Sequence, residues 1–101
     1  MAQETDICKY MANRSENDLL IDIRDETSYR LGTIPGAINI PIRQIRQLYA
    51  LPKDRDIYVF FQTGEVSGEI AELLSDAGCS AWNLTGGYRR YLRNQMEKGA
   101  D

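Results

Sequence analysis

The sequence predicts an α/β sandwich built on a mainly parallel sheet. Three observations carry that reading. Residues 19–23 and 57–60 form short, nearly continuous apolar runs, the pattern of parallel strands buried on both faces. Between such runs the period changes to that of a helix, most clearly at Ile70, Leu73, Leu74 and Ala77, spaced i, i+3, i+4, i+7. The two patterns then alternate along the chain, as they do in sheets covered by crossover helices.

In order, Asp6 is placed to cap a first helix whose apolar face is Ile7, Tyr10 and Met11. A polar turn, residues 13–18, leads to the strand at 19–23. Asp25 is a second N-cap candidate, for a short helix through Leu31 that Gly32 stops at its C′ position. Pro35-Gly36 marks a turn, and residues 37–40 read as a strand. Pro41 suits the first turn of a helix whose inner face is Ile42, Ile45, Leu48 and Tyr49. The strand at 57–60 follows a loop. A polar turn, residues 61–66, separates it from a helix expected to start near Ser67 and end at Gly78. Residues 81–84 are a further strand. Thr85-Gly86-Gly87 turns into a last helix with Tyr88, Tyr91, Leu92 and Met96 inward and Arg89, Arg90, Arg93 and Lys98 outward.

The chain has 101 residues, which predicts one domain, 1–101, large enough for a single core. The net charge of −3 argues against non-specific nucleic-acid binding. Histidine is absent, which removes Ser/His and Cys/His catalysis and histidine-based metal sites. Cys8 and Cys79 lie far apart in no metal-ligand spacing, and are most simply two free thiols in a reducing compartment. No apolar run approaches the roughly 20 residues of a membrane span, and the polar, acidic N-terminus is unlike a signal peptide. A cytoplasmic protein with no cofactor, metal, membrane or nucleic-acid partner is expected.

In open parallel sheets, sites lie beyond the carboxyl ends of the strands. Residues 61–66 join an apolar strand to a helix N-terminus, where backbone amides and the helix dipole favour a small anion. A plain strand-to-helix connection explains the turn as well, and it lacks the glycine spacing and Lys-Ser/Thr pair of a P-loop. Asp22, Arg24 and Asp25 end another strand. They could rim a site, although such residues more often make local ion pairs and caps. Gly86-Gly87 could let backbone approach a ligand or simply form a tight turn. Cys79 follows a helix C-terminus, where the dipole does not favour a thiolate. Cys8 lies in the first turn of a helix, with no evident cleft.

Four segments match a known family together. Leu20-Ile21-Asp22-Ile23-Arg24 resembles the strand-ending "D-V-R" of the rhodanese family. Residues 32–41, Gly-Thr-Ile-Pro-Gly-Ala-Ile-Asn-Ile-Pro, resemble its "G-H-I-P-G-A-x-N-I-P" segment. Residues 51–59 resemble the lead-in to its active-site loop, and Asn83-Leu84-Thr85-Gly86-Gly87-Tyr88 resembles its closing "N-L-x-G-G". Order and spacing agree from Asp6 to Leu92. Gln62-x-Gly64 and Gly86-Gly87-Tyr88 resemble in particular the C-terminal rhodanese module of flavin-dependent coenzyme A-disulfide reductases.

The resemblance implies a three-layer α/β/α fold with a five-stranded, mainly parallel sheet. It implies sulfur transfer as the family activity: a loop cysteine takes sulfane sulfur as a persulfide and passes it to a thiophilic acceptor. Residue by residue, the family nucleophile falls on Phe61, the basic residue that often closes the loop on Val66, and the family histidine on Thr33. Phenylalanine cannot form a persulfide. The reading is therefore a non-catalytic binding or regulatory module of sulfur and thiol redox metabolism. Its active-site-like loop is Phe61, Gln62, Thr63, Gly64, Glu65, Val66 and Ser67, and its rim is Asp22, Arg24, Gly86 and Gly87. A sulfur-handling protein or a flavin-dependent disulfide reductase is the expected partner. The alternative is an active sulfurtransferase using Cys79 or Cys8.

Overall fold

A computed structural model describes residues 2–99, so both ends of the expected unit 1–101 lie outside the described residues. The elements are β1 (Gln3–Asp6), α1 (Ile7–Asn13), β2 (Leu19–Asp22), α2 (Glu26–Leu31) and β3 (Ile38–Asn39). A 3-10 turn (Ile42–Gln44), α3 (Ile45–Tyr49), β4 (Asp56–Phe60), α4 (Gly64–Asp76), β5 (Ser80–Thr85) and α5 (Gly87–Gly99) follow.

The five strands form one sheet in the order β1-β5-β4-β2-β3, and each neighbouring pair is parallel. Alternation along the strands divides the core. Ile21, Ile57, Val59 and Ala81 face Leu48 of α3 and Ile70, Ala71 and Leu74 of α4. Leu20, Phe60 and Leu84 face Ile7 and Tyr10 of α1 and Tyr88 of α5. Helices therefore cover both faces, as a sheet of apolar parallel strands requires.

Local chemistry explains several boundaries. Asp6 caps α1 by accepting from the amides of Cys8 and Lys9, and Asp25 caps α2 by accepting from Ser28. Gly32 does stop α2, but with φ at 164° its backbone is extended and not left-handed. The glycine instead leaves room for Tyr88: a Cβ there would lie 2.7 Å from the Tyr88 hydroxyl, so that side chain would have to shift. Pro41 precedes a 3-10 turn before α3 begins at Ile45.

Three expectations are corrected. Residues 3–6 form a strand, not only a polar lead-in; β1 is a polar edge strand paired to β5. Helix α4 begins at Gly64, three residues before Ser67, because Thr63 supplies the extended N-cap conformation. Leu73, Leu92 and Met96 face outward, at 44%, 39% and 73% exposure, and Tyr49 is exposed as well. The apolar stripes of these helices are wider than the sheet strips they cover.

Candidate functional site

The carboxyl ends of β2, β4 and β5 bring three chain segments together. Beyond β4 the loop itself is only residues 61–63, since Gly64 already opens α4. Backbone contacts fix that loop to the start of α5. The Tyr88 amide donates to the Phe61 carbonyl at 2.9 Å, and the Arg89 amide donates to the Gln62 carbonyl at 3.1 Å. The first turn of α5 is thus satisfied by loop carbonyls. Two glycines make this approach possible. A Cβ on Gly87 would lie 2.7 Å from the Phe61 carbonyl oxygen and 2.8 Å from that of Gln62, and its φ of +63° disfavours a side chain. A Cβ on Gly64 would press on the Gly86 nitrogen at 3.1 Å and on Thr85 Cα at 3.2 Å.

Gly87→Ala is therefore expected to lower stability by about 1–3 kcal/mol, from left-handed strain and from overpacking against rigid backbone. Gly99→Ala, with nothing within 4 Å of the new Cβ, is the control and should stay within about 0.5 kcal/mol. Urea denaturation of the two variants measures both.

Phe61 is half-buried, and it packs with Val66 against the core cluster under α4. Gln62 and Thr63 are exposed. Thr63 occupies the N-cap of α4 but makes no side-chain cap bond, so no side chain takes the first amides of that helix at its N-cap. Glu65 lies in the same first turn. Ser67 does not belong to an open cradle. It is fully buried, and its hydroxyl donates to Asn83 Oδ1 at 2.6 Å. Asn83 Nδ2 in turn donates to the Gly64 carbonyl at 3.0 Å, tying the start of α4 to β5.

Asp22 and Arg24 make the local ion pair that such residues more often form. They are 0% and 4% exposed and make a forked ion pair, Nε to Oδ1 at 3.0 Å and Nη2 to Oδ2 at 2.8 Å. Thr33 donates its hydroxyl to the same carboxylate at 2.8 Å, and the Arg24 amide donates to it at 2.9 Å. The guanidinium also donates to the Gly32 carbonyl at 2.6 Å and lies 4.0 Å over the Tyr88 ring. Its last contact reaches the loop, Nη1 to Gln62 Oε1 at 3.4 Å. A cleft of about 420 Å³ opens here, lined by Arg24, Ser28, Leu31, Gly32, Gln62, Tyr88 and Leu92. Gly86 lies outside this cleft, in a second concavity with Arg89, Arg90 and Arg93.

The two thiols are elsewhere. Cys79 precedes β5, at the opposite end of the sheet from the loop, and is 6% exposed within the core. The length of β5 alone separates it from the site by roughly 17 Å. Cys8 lies in the first turn of edge helix α1. Burial pushes its thiol above the ordinary value, against the lowering effect of the Arg90 guanidinium. Among the described residues no group of three or more acidic or cysteine side chains could hold a metal, and no helix is long and apolar enough to cross a membrane.

Asn83, Thr33 and Tyr88 are the site residues that sequence reasoning undervalued. A signal existed for Asn83, which lies two residues beyond Ala81 and so on the same inner face of the strand, where a polar residue needs a partner.

The family model for the Rhodanese-like domain matches residues 7–94. The chain belongs to the rhodanese-like family. Curated relatives include a sulfurtransferase of Allochromatium vinosum, 32% identical over 84 residues, covering 81% of this chain and 78% of the relative. YqhL of Bacillus subtilis is 35% identical over 74 residues, covering 71% of this chain and 59% of the relative. A tRNA sulfurtransferase of Desulfurococcus amylolyticus is 32% identical over 81% of this chain, but the match spans only 16% of that protein. Among solved structures, a rhodanese-related protein of Thermoplasma volcanium shares the fold at TM-score 0.83 and 24% identity, covering 91% of this chain and 92% of that one. CoADR-RHD of Bacillus anthracis matches at TM-score 0.75 and 31% identity, covering 89% of this rhodanese-like chain and 16% of the other.

Proposed function

We propose that this rhodanese-like chain is a non-catalytic binding or regulatory module of thiol and sulfur metabolism. The observation that carries the reading is Phe61, which stands where the family places its persulfide-forming cysteine. A phenyl ring has no lone pair to attack sulfane sulfur and no acid to ionise, so the covalent step has no nucleophile. Val66 adds no positive charge to hold an anionic donor.

The frame around the lost chemistry supports a binding role. The loop keeps its backbone anchors to Tyr88 and Arg89, and α4 opens behind it with Thr63 leaving the first amides without a side-chain cap. Such a turn suits a small anion. The partner we propose is a protein that handles sulfur or disulfides, of which a flavin-dependent disulfide reductase is the leading case. Likeness to CoADR-RHD supports that choice.

No observation favours sulfur transfer through the remaining thiols. Cys79 is buried at the far end of β5, and burial pushes the Cys8 thiol above its ordinary value, away from the thiolate. Incubating the chain with thiosulfate, assaying turnover with cyanide and recording intact mass tests the reading. The expected result is background turnover and no persulfide adduct.

A further inference from the structure

Helix α5 leaves one stripe of its surface uncovered. Arg89, Leu92, Arg93 and Met96 follow at i, i+3, i+4, i+7 and line a groove together with Glu97. Leu92 also lines the cleft at Arg24 and Tyr88, as does Leu31 of α2, so the groove and the cleft adjoin. Leu31 and Met96, at 85% and 73% exposure, are the two most exposed large apolar side chains among the described residues. Arg89 and Arg93 in turn line the concavity at Gly86 with Arg90. Arg90 pairs with Asp6, whereas Arg89 and Arg93 belong to no ion pair among the described residues.

Apolar side chains in water gain from being covered, and an exposed apolar patch rimmed by polar residues marks an interaction surface. Here the rim is positive. Two unpaired guanidiniums flank the apolar side chains, and their forked donors match carboxylates. Glu97 is the one carboxylate lining the three adjoining hollows, and the chain as a whole carries −3, so the positive face is local. The same net charge opposes approach to an anionic membrane or a nucleic acid. From Arg89 to Met96 the stripe runs roughly 10 Å along the helix, with the spacing that an amphipathic segment laid alongside would meet.

We propose that this face docks an acidic amphipathic segment of a partner protein, whose apolar side chains cover Leu31, Leu92 and Met96 and whose carboxylates meet Arg89 and Arg93. The proposal gives the surface and the chemistry of the partner in the function proposed above, and it rests on that reading of the chain as a binding module. Its test is separate from sulfur transfer. An inactive chain that does not bind loses only this surface, and an active chain that binds keeps it.

The probe is a synthetic helical peptide of about four turns, with leucines along one stripe and glutamates flanking them. Methyl-labelled methionine reads its binding, because Met96 lines the groove while Met11 packs against the core and serves as the internal control. Titration is expected to move the Met96 methyl saturably, with a Kd below about 1 mM that weakens as salt is added. Arg89→Glu/Arg93→Glu, at two exposed positions, should weaken binding roughly tenfold or more. Leu92→Ser should weaken it as well, and a peptide with lysine in place of glutamate should not bind. Absence of a saturable shift up to about 5 mM peptide would overturn the proposal. So would equal binding of the lysine peptide, or binding that neither variant weakens. A Met96 shift produced by raising the concentration of the chain alone, or by phosphatidylglycerol vesicles but not by the peptide, would replace the proposed partner with a second copy or a membrane.

Discussion

The double variant Phe61→Cys/Val66→Arg should transfer sulfur from thiosulfate to cyanide roughly a hundredfold faster than the unaltered chain's background, a gain of about 3 kcal/mol in transition-state stabilisation. The reason lies in how the loop is held. Its anchors are the carbonyls of Phe61 and Gln62, which accept from the amides of Tyr88 and Arg89. Neither anchor uses a side chain, so a cysteine at 61 inherits the same backbone position. It would stand three residues before the start of α4, where the helix dipole favours a thiolate and a persulfide anion. Arginine at 66 would add the missing charge for an anionic donor. Both replaced side chains are partly buried against the core, so the variant should lose about 1–3 kcal/mol of stability but remain folded. A folded double variant with no activity would mean that the loop is shaped around the phenyl ring.

The largest loss of stability is expected from Asp22→Ala, about 3–5 kcal/mol in urea denaturation. Asp22 is fully buried and takes four donors: Arg24 Nε and Nη2, the Arg24 amide and the Thr33 hydroxyl. Removing it leaves a guanidinium, itself 4% exposed, with no compensating anion. The remaining contacts, to the Gly32 carbonyl and Gln62 Oε1, are neutral. A domain of this size has about 5–15 kcal/mol in total, so the variant sits near the edge of folding. Removing both charges with Asp22→Val/Arg24→Met should cost distinctly less, because no lone charge is left in the core. Equal losses in the single and double variants would show that the packing of these side chains, not their pairing, is what matters.

The contrast between these residues explains how far the sequence alone could go. The strands β2 and β4 were legible because each is built on a short apolar run, and the caps Asp6 and Asp25 because their carboxylates do what such residues do in isolation. Strand β1 was not, since Gln3 and Glu4 are exposed and its order comes from pairing with β5, a contact some 80 residues away in the chain. The start of α4 was misplaced because Gly64 looks like a turn residue. Its glycine serves instead the close approach of Thr85 and Gly86. The charges of Asp22 and Arg24 left a site rim and a local ion pair both open, and tertiary structure makes the ion pair and folds it inward over Tyr88. Phe61 is the opposite case: the consequence proposed for it is chemical and rests on the side chain itself, a phenyl ring with no thiol.

On the function proposed above, this chain keeps the rhodanese-like frame without sulfur chemistry. Turnover with thiosulfate and cyanide, read together with the intact mass of the unaltered chain, tests it most directly. Background turnover and no added sulfur on Cys8 or Cys79 are expected. Turnover matching an active family member, with a persulfide on one of those thiols and activity lost in its Cys→Ser variant, would contradict it.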